Sequence, residues 1–278
     1  MRNLRAFGRR RTGWTLSQNP HYKRLMAKDA QSDLTYPGGK VRLYVEAPLG
    51  EGARIAPDDA QAHYLLHVMR AKAGDTVRLF NGRDGEWLAS LAEVSKRNCS
   101  LVCGQKLAPQ SYVPDIWLVF APIKKTPADY VVQKATELGV RRLQPVFTRR
   151  TIVTRVNLER MRANAVEAAE QSERLDVPEI GEPQSLKALL AGWPNDRAIL
   201  FCDEAGEARS IASALGNLRA GPAAILTGPE GGFDPEERET IRARPNVVAV
   251  SLGSRILRAD TAALAALAVW QAVRGDWG

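Results

Sequence analysis

From Asp115 to the C-terminus, short apolar runs alternate with helical patterns, and few architectures accept that order. The runs are "DIWLVFAPI", "LQPVF", "AILFCDE", "AAILT" and "NVVAVSLG". Strands that read as nearly continuous apolar stretches are those buried on both faces. Between them lie "PADYVVQKATELG", opened by Pro127 and stopped by Gly139, and "LERMRANAVEAAEQS", rich in Ala, Glu and Arg. "IASALGNL", "DPEERETIRAR" and a final "TAALAALAVWQAVR" complete the helices. Strands alternating with helices predict an α/β fold, a mostly parallel sheet with helices on both faces.

Upstream the texture differs. "VRLYVEA" alternates with period two and reads as a strand. "APDDAQAHYLLHVMRA" reads as a helix, with Asp58 and Asp59 in its first turn and Leu65, Leu66, Val68 and Met69 as its apolar face. Tyr64 and His67 are expected to pack at its edge. "DTVRLFNG", "EWLASLAEVS" and "CSLVCGQKL" are strand-like and split by turn residues. So few strands over residues 41–108 suit a compact barrel. "PQSYVP", residues 109–114, is aperiodic and reads as a linker to a larger domain over 115–278.

The net charge of +8 is misleading until it is located. Residues 1–40 hold nine Lys/Arg against two Asp, whereas the rest of the chain holds 30 basic and 29 acidic residues. The basic extension 1–40 is read as poorly ordered, in preference to an RNA-binding arm or a transit-like peptide. Three scattered cysteines do not make a disulfide framework, so a reducing, cytoplasmic setting is expected. No apolar run reaches the length of a membrane span.

Two loops carry the chemistry. The first is Leu226, Thr227, Gly228, Pro229, Glu230, Gly231 and Gly232, after "AAILT". The second is "SLGSRILRADTA", residues 251–262. In open α/β sheets ligands bind beyond the carboxyl ends of the strands, where both loops begin. A pyrophosphate loop wants G-x-G-x-x-G and free amides. Here the spacing is G-x-x-G-G, Pro229 removes an amide and Glu230 adds negative charge. These features suit a nucleoside without phosphate, and S-adenosylmethionine fits, an adenosine bearing a sulfonium cation; the loop alone reads equally as a glycine-rich turn before a helix that Asp234 and Pro235 open. In the second loop Arg255 and Arg258 flank Ile256 and Leu257, a surface that can position RNA phosphate. Asp260 reads equally as a helix N-cap or as a working carboxylate.

"HYLLHVMRAKAGD", "KATELGV", "EAAEQSER", "LTGPEGGF" and "LGSRILRADTAAL", in this order and spacing, resemble the ribosomal RNA small subunit methyltransferase E family of the SPOUT class. The resemblance runs from about Val41 to the C-terminus and rests chiefly on the last two motifs together. It implies a SPOUT-type trefoil-knot domain behind a PUA-like RNA-binding barrel, and a homodimer. It also implies methylation of uridine N3 in 16S ribosomal RNA of the small subunit, with S-adenosylmethionine as donor. The donor pocket it implies comprises Leu226, Thr227, Gly228, Pro229, Glu230, Gly231, Leu252, Gly253, Arg255, Ile256 and Leu257. This chain departs from the family pattern at Asp260, where Glu is usual, and at Glu173, where Gly is usual.

Methylating N3 requires loss of its proton or stabilisation of the resulting anion. Arg258 is the first candidate to stabilise that charge, and Asp260 and Glu230 are candidates to accept the proton. Arg70, Lys72, Arg149, Arg174 and Arg258 are the candidate RNA contacts. No metal is expected: His63 and His67 are four apart but lack a third ligand, and Cys99 and Cys103 share one strand face as core residues. Two other readings stay open, a different SPOUT enzyme acting on a ribose hydroxyl or transfer RNA, and an RNA-binding protein without catalysis.

Overall fold

The structure, a computed structural model, describes residues 41–123, 125–203 and 208–277, without the side chains of 125–127. The basic extension 1–40 lies outside the described residues.

The N-terminal unit is a five-stranded sheet. Its strands are β1 (Arg42–Tyr44), β2 (Arg54–Ile55), β3 (Thr76–Phe80), β4 (Glu86–Val94) and β5 (Cys99–Ala108), in the order β1-β3-β4-β5-β2. It is a half-barrel, with β1 and β2 at its open ends. Register shifts along β4 against β5 bend it. Leu43, Val77, Leu79, Ala89, Leu91, Leu101 and Cys103 fill its concave core, with Cys99 beside them. The two cysteines are therefore packing residues, as their spacing predicts.

Helix α1 (Asp59–His63) starts at a full capping box between Asp58 and Gln61. It then widens into a π-turn over Tyr64–Val68, where Met69 N–H donates to the Tyr64 carbonyl at 2.9 Å. Here the expected apolar face fails. Leu65 is buried, but the wider turn carries Val68 off the core side and Met69 leaves the helix, so both are exposed. Tyr64 and His67 are exposed too, not packed at the edge. Arg70 ends the turn at φ 54, a left-handed conformation that favours glycine.

The C-terminal unit is an eight-stranded, wholly parallel assembly. Its long strands are β6 (Ile116–Phe120), β7 (Arg142–Phe147), β10 (Ala198–Cys202), β12 (Ala223–Thr227) and β13 (Val247–Ser251). Two-residue strands β8 (Glu179–Ile180), β9 (Gln184–Ser185) and β11 (Arg209–Ser210) extend the edges; the order is β11-β13-β10-β12-β6-β7-β8, with β9 also on β7. Helices α2 (Lys125–Glu137), α3 (Leu158–Gln171), α5 (Ile211–Asn217) and α7 (Ala259–Arg274) cover one face. Helices α4 (Leu186–Ala191) and α6 (Pro235–Arg242) cover the other. Period two explains the double burial: Leu118, Leu200 and Ile225 face the first layer, and Val119, Phe201 and Leu226 the second.

The chain order of the strands makes a switch point. From β6 the chain goes outward to β7. It then crosses to β10, returns to β12 beside β6, and leaves again to β13. Neighbouring β6 and β12 thus send their continuations in opposite directions, which opens a crevice at their carboxyl ends. From β13, at the far side, α7 comes back to pack over β12 and β6.

Candidate functional site

The first loop leaves β12 at that switch point. Leu226 and Thr227 are buried, and the Thr227 carbonyl accepts from Ala121 N–H of the segment after β6 at 3.2 Å. Leu226 packs its side chain beside Phe201 and Phe233, so its backbone is what a ligand can meet. Gly228 is where the Phe233 ring closes down: an added Cβ would lie 2.7 Å from Cε2. Phe233 in turn sits edge-on to Phe201 at 5.0 Å between centroids. The chain then turns, Gly232 N–H donating to the Pro229 carbonyl at 2.9 Å with φ 68 at Gly232. Glu230 and Gly231 stand exposed at the tip. Arg150 braces them, donating from Nη1 to the Gly231 carbonyl at 3.0 Å. Asp234 caps α6, and its capping box with Glu237 terminates the loop.

The second loop leaves β13. Gly253 has φ 112 and no heavy atom within 4 Å of where a Cβ would sit. Ser254, Arg255 and Ile256 are exposed, Ile256 by 86%. Leu252 packs against the core and Leu257 is half-buried. An apolar side chain held in water beside an open glycine is a cradle that an adenine face would fill.

Arg258 is the N-cap residue of α7, through its backbone: its carbonyl accepts from Ala262 N–H at 2.8 Å and its side chain makes no capping bond. Asp260 is thus not the N-cap. It lies in the first turn, its Oδ1 accepting from Thr261 N–H at 2.7 Å, where the helix dipole favours its negative charge. Among the described residues Arg255 and Arg258 have no ion pair, so both cations are available to an incoming anion.

The loops do not spring from adjacent strands, although β12 and β13 are consecutive in sequence. β10 lies between β12 and β13, which sets the loop roots about 10 Å apart. That gap spans a nucleoside better than a single phosphate. At the end of β10, Asp203 is buried and held by Arg238 and Arg242 of α6, at 3.0 and 2.6 Å. The Cys202 thiol packs on the apolar core, and burial pushes it up to about 12, so it stays protonated and is no nucleophile.

The RNA-binding candidates divide. Arg70 and Lys72 are exposed beside the π-turn. Arg149 is half-exposed but bridges Asp234 at 2.8 Å and Glu236 at 2.6 Å, which offset its charge. Arg174 leaves the set: its side chain is 7% exposed, paired with Asp176, and donates to the Thr136 and Val140 carbonyls at 2.7 and 3.1 Å. It closes the end of α2 rather than facing solvent. Glu173 beside it occupies φ 62, which explains why glycine suits that position, and pairs with Arg78 at 3.2 Å. Arg150 and Phe233 support the first loop, a role that the sequence does not show. The sequence signals for Phe233 are its place directly after Gly231-Gly232 and its inclusion in "LTGPEGGF". The His63 and His67 rings lie 4.8 Å apart between centroids and tilted by 41°, and no group of three metal-binding side chains occurs among the described residues.

Known proteins share this arrangement. Residues 110–271 match the family model of an RNA methyltransferase domain, and residues 57–102 that of an RNA methyltransferase PUA domain. The ribosomal RNA small subunit methyltransferase E of Rickettsia conorii is 36% identical over 229 residues, 82% of this chain and 93% of that protein. Its counterpart in Synechocystis is 31% identical, over 78% of this chain and 72% of that protein. The structure of the Neisseria gonorrhoeae enzyme of the same name, bound to S-adenosyl methionine, superposes with a TM-score of 0.77. It is 28% identical and covers 86% of this chain and 99% of its own. Sequence, half-barrel and looped parallel sheet agree: the chain belongs to the ribosomal RNA small subunit methyltransferase E family.

Proposed function

We propose that this protein transfers the methyl group of S-adenosylmethionine to N3 of a uridine in 16S ribosomal RNA, acting as a homodimer. The observation that carries the reading is the pair of loops at the carboxyl ends of β12 and β13, the first glycine-rich and at the strand-order switch, the second open, apolar and arginine-flanked. Backbone groups of Thr227 to Gly231 and of Leu252 to Leu257 would read the adenosine, with Ile256 and Leu257 over the base. The donor supplies a methyl group already activated by the sulfonium. The protein's work is then alignment and charge control.

Arg258 sits at the start of α7, without an ion pair among the described residues, and stabilises the negative charge that develops on the uracil oxygens as N3 loses its proton. Asp260, two residues on, and Glu230, at the tip of the opposite loop, are the carboxylates that can take that proton or orient a water that does. N3 lies on the pairing edge, so the base must be unpaired or flipped to reach them. Arg70 and Lys72, exposed beside the π-turn, supply phosphate contacts, whereas Arg149 is held by Asp234 and Glu236.

The test is transfer of labelled methyl groups to small subunits lacking the modification, followed by nucleoside mass spectrometry. N3-methyluridine supports the reading. A ribose 2′-O-methyl product, or a labelled transfer RNA, reassigns the substrate. RNA binding without transfer removes the enzyme.

A further inference from the structure

We infer that Arg42 is a positioning residue: it locks the N-terminal half-barrel onto the end of α3 and, through Arg174, onto the end of α2, and so sets where RNA meets the donor loops. The inference rests on the activity proposed above. Arg42 lies on β1, at an open end of the half-barrel, yet it is 5% exposed. Its guanidinium stacks on Phe80 at 4.5 Å. Nε donates to Glu86 at 2.6 Å, within its own sheet. The remaining donors cross to the other unit. Nη1 reaches the Ala169 and Glu170 carbonyls at 2.9 and 3.0 Å, and Nη2 the Arg174 carbonyl at 3.1 Å.

Ala169 and Glu170 belong to the last turn of α3, whose carbonyls have no partner within the helix. A cation there satisfies them and meets the negative end of the dipole. The joint is reciprocal, because Glu170 Oε1 accepts from Tyr44 N–H of β1 at 2.9 Å. Phe80, Ala169 and Leu175 pack beneath it as one buried cluster.

The same device repeats one step further in. Arg174, whose carbonyl Arg42 holds, turns its own guanidinium to the Thr136 and Val140 carbonyls at the end of α2. Gln271 of α7, fully buried, donates to the Leu138 carbonyl at 2.6 Å. Helix α7 begins at Arg258. A series of helix-end hydrogen bonds thus joins β1 to the C-terminal part of the helix whose other end carries the candidate catalytic residues. A planar fork of donors is needed at Arg42; an ammonium on a flexible stem cannot span three carbonyls and a carboxylate at once.

The experiment compares wild type, Arg42→Ala, Arg42→Lys and Arg162→Ala, the last removing an exposed pair with Glu46 across the same joint. Donor affinity is measured by calorimetry, and kcat and KM with unmodified small subunits. For Arg42→Ala we expect KM for the subunit to rise at least about tenfold while donor affinity stays within about twofold, with Arg42→Lys between it and wild type. Arg162→Ala should match wild type. If Arg42→Ala does not fold, Arg42→Lys carries the test by the same KM shift at unchanged donor affinity. Equal KM values, or donor affinity lost in step with KM, overturn the inference. Absence of transfer by wild type instead removes the activity on which it rests.

Discussion

Replacing Gly228 with alanine places a methyl carbon 2.7 Å from Cε2, 2.9 Å from Cδ2 and 3.3 Å from Cζ of Phe233. Ordinary contact begins at 3.4 Å, so the ring must withdraw by about 0.7 Å. It has little room to do so. Phe233 is 8% exposed and lies edge-on to Phe201, which is itself fully buried. Either the ring leaves its place or the loop lifts from β12. Overpacking of this kind costs about 1–3 kcal/mol, and here it acts within the loop assigned to the donor. Urea denaturation should show that loss, and calorimetry with S-adenosylmethionine should show weaker binding by about tenfold. Adding Phe233→Leu removes the obstructing ring edge. The double variant should therefore lose less stability than the two single losses added together. Gly228→Ala with stability within about 0.5 kcal/mol of wild type and unchanged donor affinity would refute the reasoning.

Three further outcomes follow from other parts of the fold. Arg258→Ala should keep donor affinity and the start of α7, since its side chain caps nothing, while turnover falls about 10²–10³-fold; near-normal turnover removes Arg258 from the role assigned to it. Arg70→Gly relieves the left-handed backbone at φ 54, so thermal denaturation should show a gain of about 1 kcal/mol while RNA binding weakens; unchanged RNA affinity would leave the strain without a function. Burial holds the Glu170 carboxyl above its usual 4.5, so its contribution to stability is fully present below that value and lost as pH rises through the folded pKa. Glu170→Gln, which keeps an acceptor for Tyr44 N–H, should therefore melt higher than wild type at pH 8, with the gap closing toward pH 4; a gap that widens on acidification contradicts this.

The long elements were legible because their burial leaves a period in the sequence. Each parallel strand packs on both faces, so "AAILT" and "AILFC" are nearly all apolar, and the helices between carry one apolar stripe. The two-residue strands and α4 were not legible, being too short to show a period; Leu186, Leu189 and Leu190 are buried all the same. The π-turn was invisible for another reason. "YLLHV" fits an ordinary helix, and only the backbone shows the wider turn that exposes Val68.

In the site, both loops were legible from their glycines, Pro229 and the Arg-x-x-Arg spacing. Their separation by β10 was not, because strand order in space does not follow order in sequence. Arg174 reads as a surface cation, since nothing local tells a solvated arginine from one closing a helix end 38 residues away. Glu173 reads as a departure from pattern until φ 62 shows what glycine would do there.

The claim on which the rest depends is that the loops after β12 and β13 grip the adenosine of the donor between them. A crystal structure with S-adenosylmethionine tests it directly. The account predicts the adenine against Ile256 and Leu257, its polar edge on the backbone of the two loops, and the sulfonium methyl directed toward Arg258. Donor bound elsewhere, or these loops closed on each other with the donor excluded, contradicts it.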